Sequence, residues 1–297
     1  ALPIFAIVTH LFFQPNLFHF EEWLKYHIDF GVDHFYFYES SHAGIPCLQK
    51  DTKRQIDIPL VGEIPHRDIY GYYNKIRERY KGHCTFIKWL PKDEQGKYLP
   101  HHQIHAHEQQ TALKHFYQNH AKKYDRVSTI DCDEFYFSKR HNNIKDFLQN
   151  NDQDISLLGC KFFESVFINV GSLTTQKTKC LDKFSRVGPK YVFNPQLTNL
   201  AFKGSPHYPP TKKKISVNIN EYDLCFYHYK VNENAKTSIE HHGKQKMEYI
   251  KDESMSSKAK HLQDYNFIEK PKTEQNCIDS EQDVLGLDLF KWDEIQH

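Results

Sequence analysis

"IFAIVTHLFFQPNLFHFEEWLKYHIDFGVDHFYFY", residues 4–38, decides the class of fold. It opens on the apolar run Ile4 to Val8, rich in residues that suit a pleated surface. Pro15 and Asn16 then punctuate the chain. Phe20, Trp23, Leu24 and Ile28 recur at helical spacing, and Gly31 stops the pattern where a C-terminal cap would. "HFYFY" (34–38) reads as a second strand. Strand, helix and strand in so short a span begin an α/β sheet.

Outward from there, "CTFIKW" (84–89) is a further strand, and residues 104–123 are expected to form a polar helix. A strand is expected at 126–130, a short helix at 144–148 and a strand at 155–163. Strands near 215–219 and 223–229 read as an antiparallel hairpin around Asn220 and Glu221. The polar end carries a late apolar anchor: Leu285, Leu287, Leu289, Phe290 and Trp292. No repeat or linker interrupts the chain. The expectation is one α/β domain over 1–250, with 251–297 a helical or irregular extension packed on it.

The 297 residues suffice for a sizeable core, and a formal net charge of +1 speaks against nucleic acid as a partner. Seven Cys without a C-x-x-C pair argue against a zinc knuckle and a complete disulfide framework. They lead us to expect reduced thiols and a cytoplasmic setting. No apolar run approaches the ~18 residues that would span a bilayer.

"RVSTIDCDEFYF" (126–137) carries the chemistry. An apolar strand runs into Asp131, Asp133 and Glu134, and aromatics follow at once. Two Asp at i and i+2 point the same way on an extended chain. At the C-terminal edge of a parallel sheet they face the crevice where α/β ligands bind. Adjacent carboxylates repel and resist desolvation, and a divalent cation relieves both problems. Hard oxygen ligands suit Mn2+ or Mg2+, completed by substrate phosphates. The bland alternative is a pair of solvated loop residues or helix caps. Other phosphate chemistries lack their motifs: there is no P-loop, no G-x-G, no nucleophile elbow, and "HEQQT" (107–111) lacks the second His of H-E-x-x-H.

"FEEWLKYHIDFGVDHFYFYESS" (20–41) resembles the opening pattern of the family-92-like and related family-2-like glycosyltransferases of GT-A fold. "STIDCDEFYF" is similar to their D-x-D-E-F box, "KYVFNPQL" (190–197) to their Lys-x-[IV]-[VF]-x-P segment, and "FYHYKVNENAKTSIEHHGKQK" (226–246) to their His-Tyr-x-x-Lys stretch. The four blocks come in the expected order and cover most of 4–246. The resemblance implies a GT-A-like domain, a Rossmann-like mixed sheet flanked by helices, with a decorated C-terminal half. It implies a nucleotide-sugar donor (a UDP- or GDP-sugar) seated over the first β-α-β unit, and a glycan acceptor. On this pattern Asp131 touches the ribose or the metal and Asp133 ligates the metal directly. His228 is a further metal or diphosphate ligand, and Lys190 and Lys230 neutralise phosphates. Glu39 stands where many relatives carry an Asp near the nucleotide base. Residues 7–16 depart from the Arg/Lys-Asn-Glu that usually follows strand one, with Thr9 the substitute contact.

An inverting transferase needs a base beside the acceptor hydroxyl. Glu164, after the 155–163 strand, is the candidate and Asp182 the second. Of the 20 His, those at 101, 102, 105, 107, 241 and 242 read as solvated, whereas His207 and His228 follow the acidic box at positions suited to a site. Lys212, Lys213 and Lys214 are ordinarily a solvated loop, and otherwise a contact for a phosphate-rich acceptor or an anionic membrane surface. Trp23 and Tyr26 are expected in the core. The competing functions are a metal-dependent phosphohydrolase, which uses more carboxylates for two metals, and a non-catalytic glycan-binding module.

Overall fold

The computed structural model describes residues 2–11, 19–39, 66–89, 95, 101–151, 153–164, 173–201, 205–212, 216–217, 222–231, 233–270 and 294–296. Pro15, Asn16, Lys213, Lys214, Asn220, Glu221 and the 285–292 apolar anchor lie outside the described residues, as do the side chains of His101, His102, His105 and His107.

The opening unit is strand β1 (Phe5–Leu11), helix α1 (Phe20–Asp29) and strand β2 (His34–Glu39). Phe20, Trp23, Leu24 and Tyr26 are buried on α1. Glu21 and Glu22 occupy its first turn, where the helix dipole favours negative charge. Gly31 follows with φ +98°, open to glycine at no steric cost. Helix α2 (His66–Tyr80), strand β3 (Cys84–Trp89), helix α3 (His101–Asn119) and strand β4 (Arg126–Thr129) continue the winding. β4, β1, β2 and β3 lie side by side and parallel.

Alternation along these strands feeds two apolar layers. Phe5, Ile7, Phe35, Phe37 and Phe86 join Trp23 of α1 and Tyr73 and Ile76 of α2. Ala6, Val8, Tyr36, Tyr38 and Ile87 join Leu113, Phe116 and Tyr117 of α3. The helices thus cover opposite faces, and the chain changes face between β3 and β4. Sequential strands run one way from β1, and β4 returns to its other side. That is a topological switch point, with its crevice outside the carboxyl ends of β1 and β4.

The second half is mixed. Strand β5 (Glu134–Phe137), helix α4 (Ile144–Asn150), strand β6 (Ile155–Glu164), strand β7 (Lys179–Leu181) and strand β8 (Ser185–Phe193) follow. β8 runs antiparallel between β4 and β6. Strands β9 (Ser216–Val217) and β10 (Cys225–Val231) both pair parallel with β6, and β10 is antiparallel to β5. The expected hairpin of 215–219 with 223–229 is therefore corrected. The long β6 edge takes β9 at Ser156–Leu157 and β10 from Cys160 onward, so the two follow one another along it. The expected 104–123 helix is also shorter. It ends at Asn119, where His120 leaves helical geometry (φ −124°), and Ala121–Lys123 is a tighter 3-10 turn.

Helix α5 (Glu233–Gly243), strand β11 (Tyr249–Lys251) and helix α6 (Ser254–Lys258) come next, and strand β12 (Glu294–Gln296) pairs parallel with β3. The boundary expected at 250 falls inside β11, which pairs with β7. Residues 252–268 lie over α1 and α2: His261 Nε2 is 2.9 Å from Asp29, Arg79 donates to the Asn266 carbonyl at 2.9 Å, and Ile268 N donates to Glu21 at 2.7 Å. Among the described residues, no helix is long and apolar enough to cross a membrane.

Candidate functional site

The carboxyl ends of β1 and β4 meet at one hydrogen bond: Thr9 Oγ1, buried, donates to the Ile130 carbonyl. The chain then turns tightly. Asp131 N donates to Glu134 Oε2 at 2.7 Å, and Glu134 N donates to the Asp131 carbonyl at 3.0 Å. Two other elements fix this turn. Trp23 Nε1 of α1 donates to the Glu134 carbonyl at 2.7 Å, and Tyr229 N of β10 donates to the Asp133 carbonyl at 2.9 Å. The aromatics after the acidic box form β5, whose side chains are all buried. They pack between α1 and β10, with Phe135 against Tyr26 and Tyr229.

Three basic side chains answer the carboxylates. Lys190 of β8 reaches Asp131 Oδ2 at 2.9 Å and Glu134 Oε2 at 3.0 Å. Its side chain is 1 % exposed and that of Glu134 3 %, whereas Asp131 is 44 % exposed. His228 of β10 stands 3.4 Å from Asp133 Oδ2 through Nε2 and 3.7 Å from Glu134 Oε1 through Nδ1. Lys230, exposed, acts electrostatically on both Asp131 and Asp133.

These charges set the protonation states. Burial would raise Asp131 and Asp133, but the cations together outweigh it, Lys190 foremost at Asp131 and His228 foremost at Asp133 with Lys230 adding to both, and both stay below the usual carboxylate range. Burial pushes Glu134 up to about 7, opposed by Lys190 and helped by Asp131. Lys190 thus serves chiefly the half-exposed Asp131, and Glu134 shares the pocket. Burial alone would lower His228, yet the Asp133 carboxylate raises it above its ordinary value. His207 also feels Lys190, Asp131 and His228. Its Nδ1 lies 3.0 Å from the Pro189 carbonyl, so Nδ1 carries the proton and Nε2 the lone pair.

The donor set fits two positions of a divalent cation. His228 Nε2 is buried and has no hydrogen-bond partner, although it faces Asp133 Oδ2. Two ligands at ~2.1 Å and at right angles on one ion stand about 3 Å apart, close to the 3.4 Å found here. Among the described residues, no group of three or more His, Cys, Asp or Glu is arranged to hold a metal ion. The remaining ligands of such an ion would be water and substrate oxygens, the usual condition for Mg2+.

Thr9, Asp131, Asp133, Lys190, His207, His228 and Lys230 therefore gather around one turn. Glu39 sits apart in its contacts: at the end of β2, buried, it accepts from Tyr73 OH and pairs with Arg77 at 3.3 Å. Glu164 ends β6, two residues beyond Phe162, whose ring centroid is 5.3 Å from that of His228. Its half-exposed carboxylate pairs with Lys179 Nζ at 2.9 Å. Asp182 is exposed and Lys212 is exposed. Sequence reasoning counted Glu134 among the carboxylates but gave it no role, and its place as the buried partner of Asp131 N and Lys190 depends on β8. Compared with known proteins, the chain matches no family model and no curated protein.

Proposed function

We propose that the chain is a metal-dependent glycosyltransferase of GT-A-like fold, moving a sugar from a UDP- or GDP-sugar to a glycan hydroxyl with inversion. The observation that carries this reading is the place of the acidic turn. It lies where β4 ends at the switch point, the crevice in which open α/β sheets bind ligands, with Asp133 and His228 spaced as neighbouring ligands of one cation. Bound there, Mn2+ or Mg2+ supplies neutralisation of the charge on the departing diphosphate. Asp133 and His228 would hold it. Lys190 keeps Asp131 ionised and in place, and Lys230 offers an exposed ammonium to phosphate oxygens. Glu164 is the base assigned to the acceptor hydroxyl. The buried free thiols of Cys132 and Cys180 suit a reducing, cytoplasmic setting.

The test is thermal unfolding with UDP, GDP, CMP and their common sugars, each with Mn2+, Mg2+ or EDTA. A ligand at ~100 times its Kd adds roughly 2.7 kcal/mol of apparent stability. A metal-dependent shift with one nucleotide, lost in Asp133→Ala, is expected. A folded protein that no nucleotide shifts, or one that hydrolyses a simple phosphodiester without a sugar nucleotide, overturns the reading.

A further inference from the structure

One edge of β5 is closed by side chains rather than by a strand. β5 runs antiparallel to β10 along its other edge, from Phe137 opposite Cys225 to Glu134 opposite His228. Among the described residues it pairs with no second strand. In an extended strand residues i and i+2 present their main-chain groups on the same side, so Glu134 and Tyr136 share the remaining edge. All four of those groups have partners. Glu134 N donates to the Asp131 carbonyl at 3.0 Å. The other three meet α1. Trp23 Nε1 donates to the Glu134 carbonyl at 2.7 Å, Tyr136 N donates to His27 Nε2 at 3.2 Å, and Tyr26 OH donates to the Tyr136 carbonyl at 2.7 Å.

Trp23, Tyr26 and His27 lie on one helical face, and all three are buried. His27 Nδ1 stands 2.8 Å from the Trp23 carbonyl, so Nδ1 carries the proton and Nε2 keeps the lone pair that Tyr136 N requires. An apolar face would fill the same space and leave three buried main-chain groups unpaired, a costly outcome. The grip reaches the acidic turn through Glu134. Its carbonyl takes Trp23, its amide closes the turn on Asp131, and its carboxylate takes Asp131 N and Lys190. From the other side β10 holds the same turn: Tyr229 N donates to the Asp133 carbonyl at 2.9 Å, and the neighbouring His228 stands 3.4 Å from Asp133 Oδ2. The spacing of Asp133 and His228 is thus set between α1 and β10. Trp23 acts at the turn itself, whereas Tyr26 and His27 bond to Tyr136, farther along β5.

We propose that Trp23 is a positioning residue for the cation site: its indole N–H fixes Glu134, and with it the turn that sets Asp133 against His228. This rests on the reading of Asp133 and His228 as ligands of one cation. Outer contacts of this kind orient the ligands and act on metal affinity without touching the ion. Tyr26 and His27 keep β5 in place as a strand and serve the fold.

The test is titration of the full chain with Mn2+ alone, followed by the paramagnetic resonance signal of the free ion, well below the melting temperature of every variant. Trp23→Phe removes the donor and keeps an aromatic ring. Benzothienylalanine placed at position 23 keeps the whole ring shape, with sulfur where the N–H was. Each should weaken Mn2+ binding about tenfold or more. Tyr26→Phe removes a hydrogen bond from the same helix to the same strand. It should lower the melting temperature and leave the Mn2+ affinity within about twofold of wild type. That split between affinity and stability separates positioning from support. Where Trp23→Phe fails to fold, the benzothienylalanine protein decides. Wild-type Mn2+ affinity in that protein, or an equal loss in Tyr26→Phe, overturns the proposal and leaves the cation site standing. Absence of Mn2+ binding by the wild type overturns the cation site itself, and the proposal with it.

Discussion

The Lys190 ammonium lies 3.0 Å from Glu134 Oε2, and both side chains are almost fully shielded from water. Lys190 ties β8 to the acidic turn through charge on both Asp131 and Glu134. Removing one partner of a buried pair strands the other charge at a cost of several kcal/mol. Lys190→Met should therefore lower the free energy of unfolding in urea by about 3–5 kcal/mol. Adding Glu134→Gln should restore part of that loss, because it removes a buried carboxylate that has lost its nearer counter-charge and keeps His228 at 3.7 Å. Strict additivity of the two substitutions would refute the coupling.

Two buried groups give the stability opposite slopes with pH. His27 is fully buried: Nδ1 is 2.8 Å from the Trp23 carbonyl, and Tyr136 N donates to Nε2 at 3.2 Å. Burial pushes the imidazole down to about 3. The unfolded chain then binds a proton near pH 6.5 that the folded chain refuses, so stability falls as pH drops below that value. From about pH 7.5 to about pH 5 the wild type should lose about 2 kcal/mol more than His27→Asn. Glu134, raised to about 7 mainly by burial, acts in the other direction. Its folded form keeps a proton that the unfolded chain releases above about pH 4.5, so that contribution is lost as pH rises toward 7. Glu134→Gln should remove this falling limb. Urea titrations of the three proteins at both pH values decide the matter, and parallel pH curves would contradict it.

Gly31 and Asn143 form a joint between α1 and α4. Gly31 has φ +98°, and a Cβ there would stand 2.2 Å from Asn143 Oδ1, the atom that accepts from Lys145 N to cap α4. Gly31→Ala must strain the backbone and displace the cap together. The expected loss is about 2–4 kcal/mol, from strain of 1–3 kcal/mol and a cap of about 1 kcal/mol. Asn143→Gly should cost far less and should relieve most of the clash when combined with Gly31→Ala. Thermal melts of the three variants provide the measurement.

How much of this was legible in the sequence follows from how local each feature is. Phe20, Trp23, Leu24 and Gly31 announce α1 and its end because helical spacing and a glycine stop are properties of one short segment. Asp131 and Asp133 stood out for the same reason. β8 escaped: Pro189 and Gly188 lie inside it, and only pairing with β4 and β6 reveals the strand. The carboxylate contacts of Lys190 depend on that strand, which sets its ammonium against Asp131 and Glu134. β9 and β10 misled for a related cause. Their turn-like centre suggested a hairpin, but β6 offers both of them a longer buried edge. Alternation shows which side a residue faces and says nothing of which strand stands beside it.

The relation between Asp133 and His228 makes the metal hypothesis specific. The buried His228 Nε2 faces Asp133 Oδ2 at 3.4 Å, within ion-pair reach but longer than a well-formed hydrogen bond, a spacing that suits two ligands of one cation. If the two are ligands, removing either should weaken the cation and leave the fold. His228→Ala should raise the Mn2+ concentration needed for half-maximal nucleotide binding by about 10–100-fold, the range seen when metal-supporting groups are lost. Asp133→Asn should do the same or more, since it removes charge as well as a donor. Saturating Mn2+ should rescue His228→Ala in part, because the nucleotide still offers its phosphate oxygens. Nucleotide binding titrated against Mn2+ for the three proteins separates the possibilities. Equal Mn2+ dependence in wild type and His228→Ala would assign His228 to a structural contact with Asp133 alone. In that event the two variants should instead lose stability in the absence of any metal, and the same proteins unfolded in EDTA would show it.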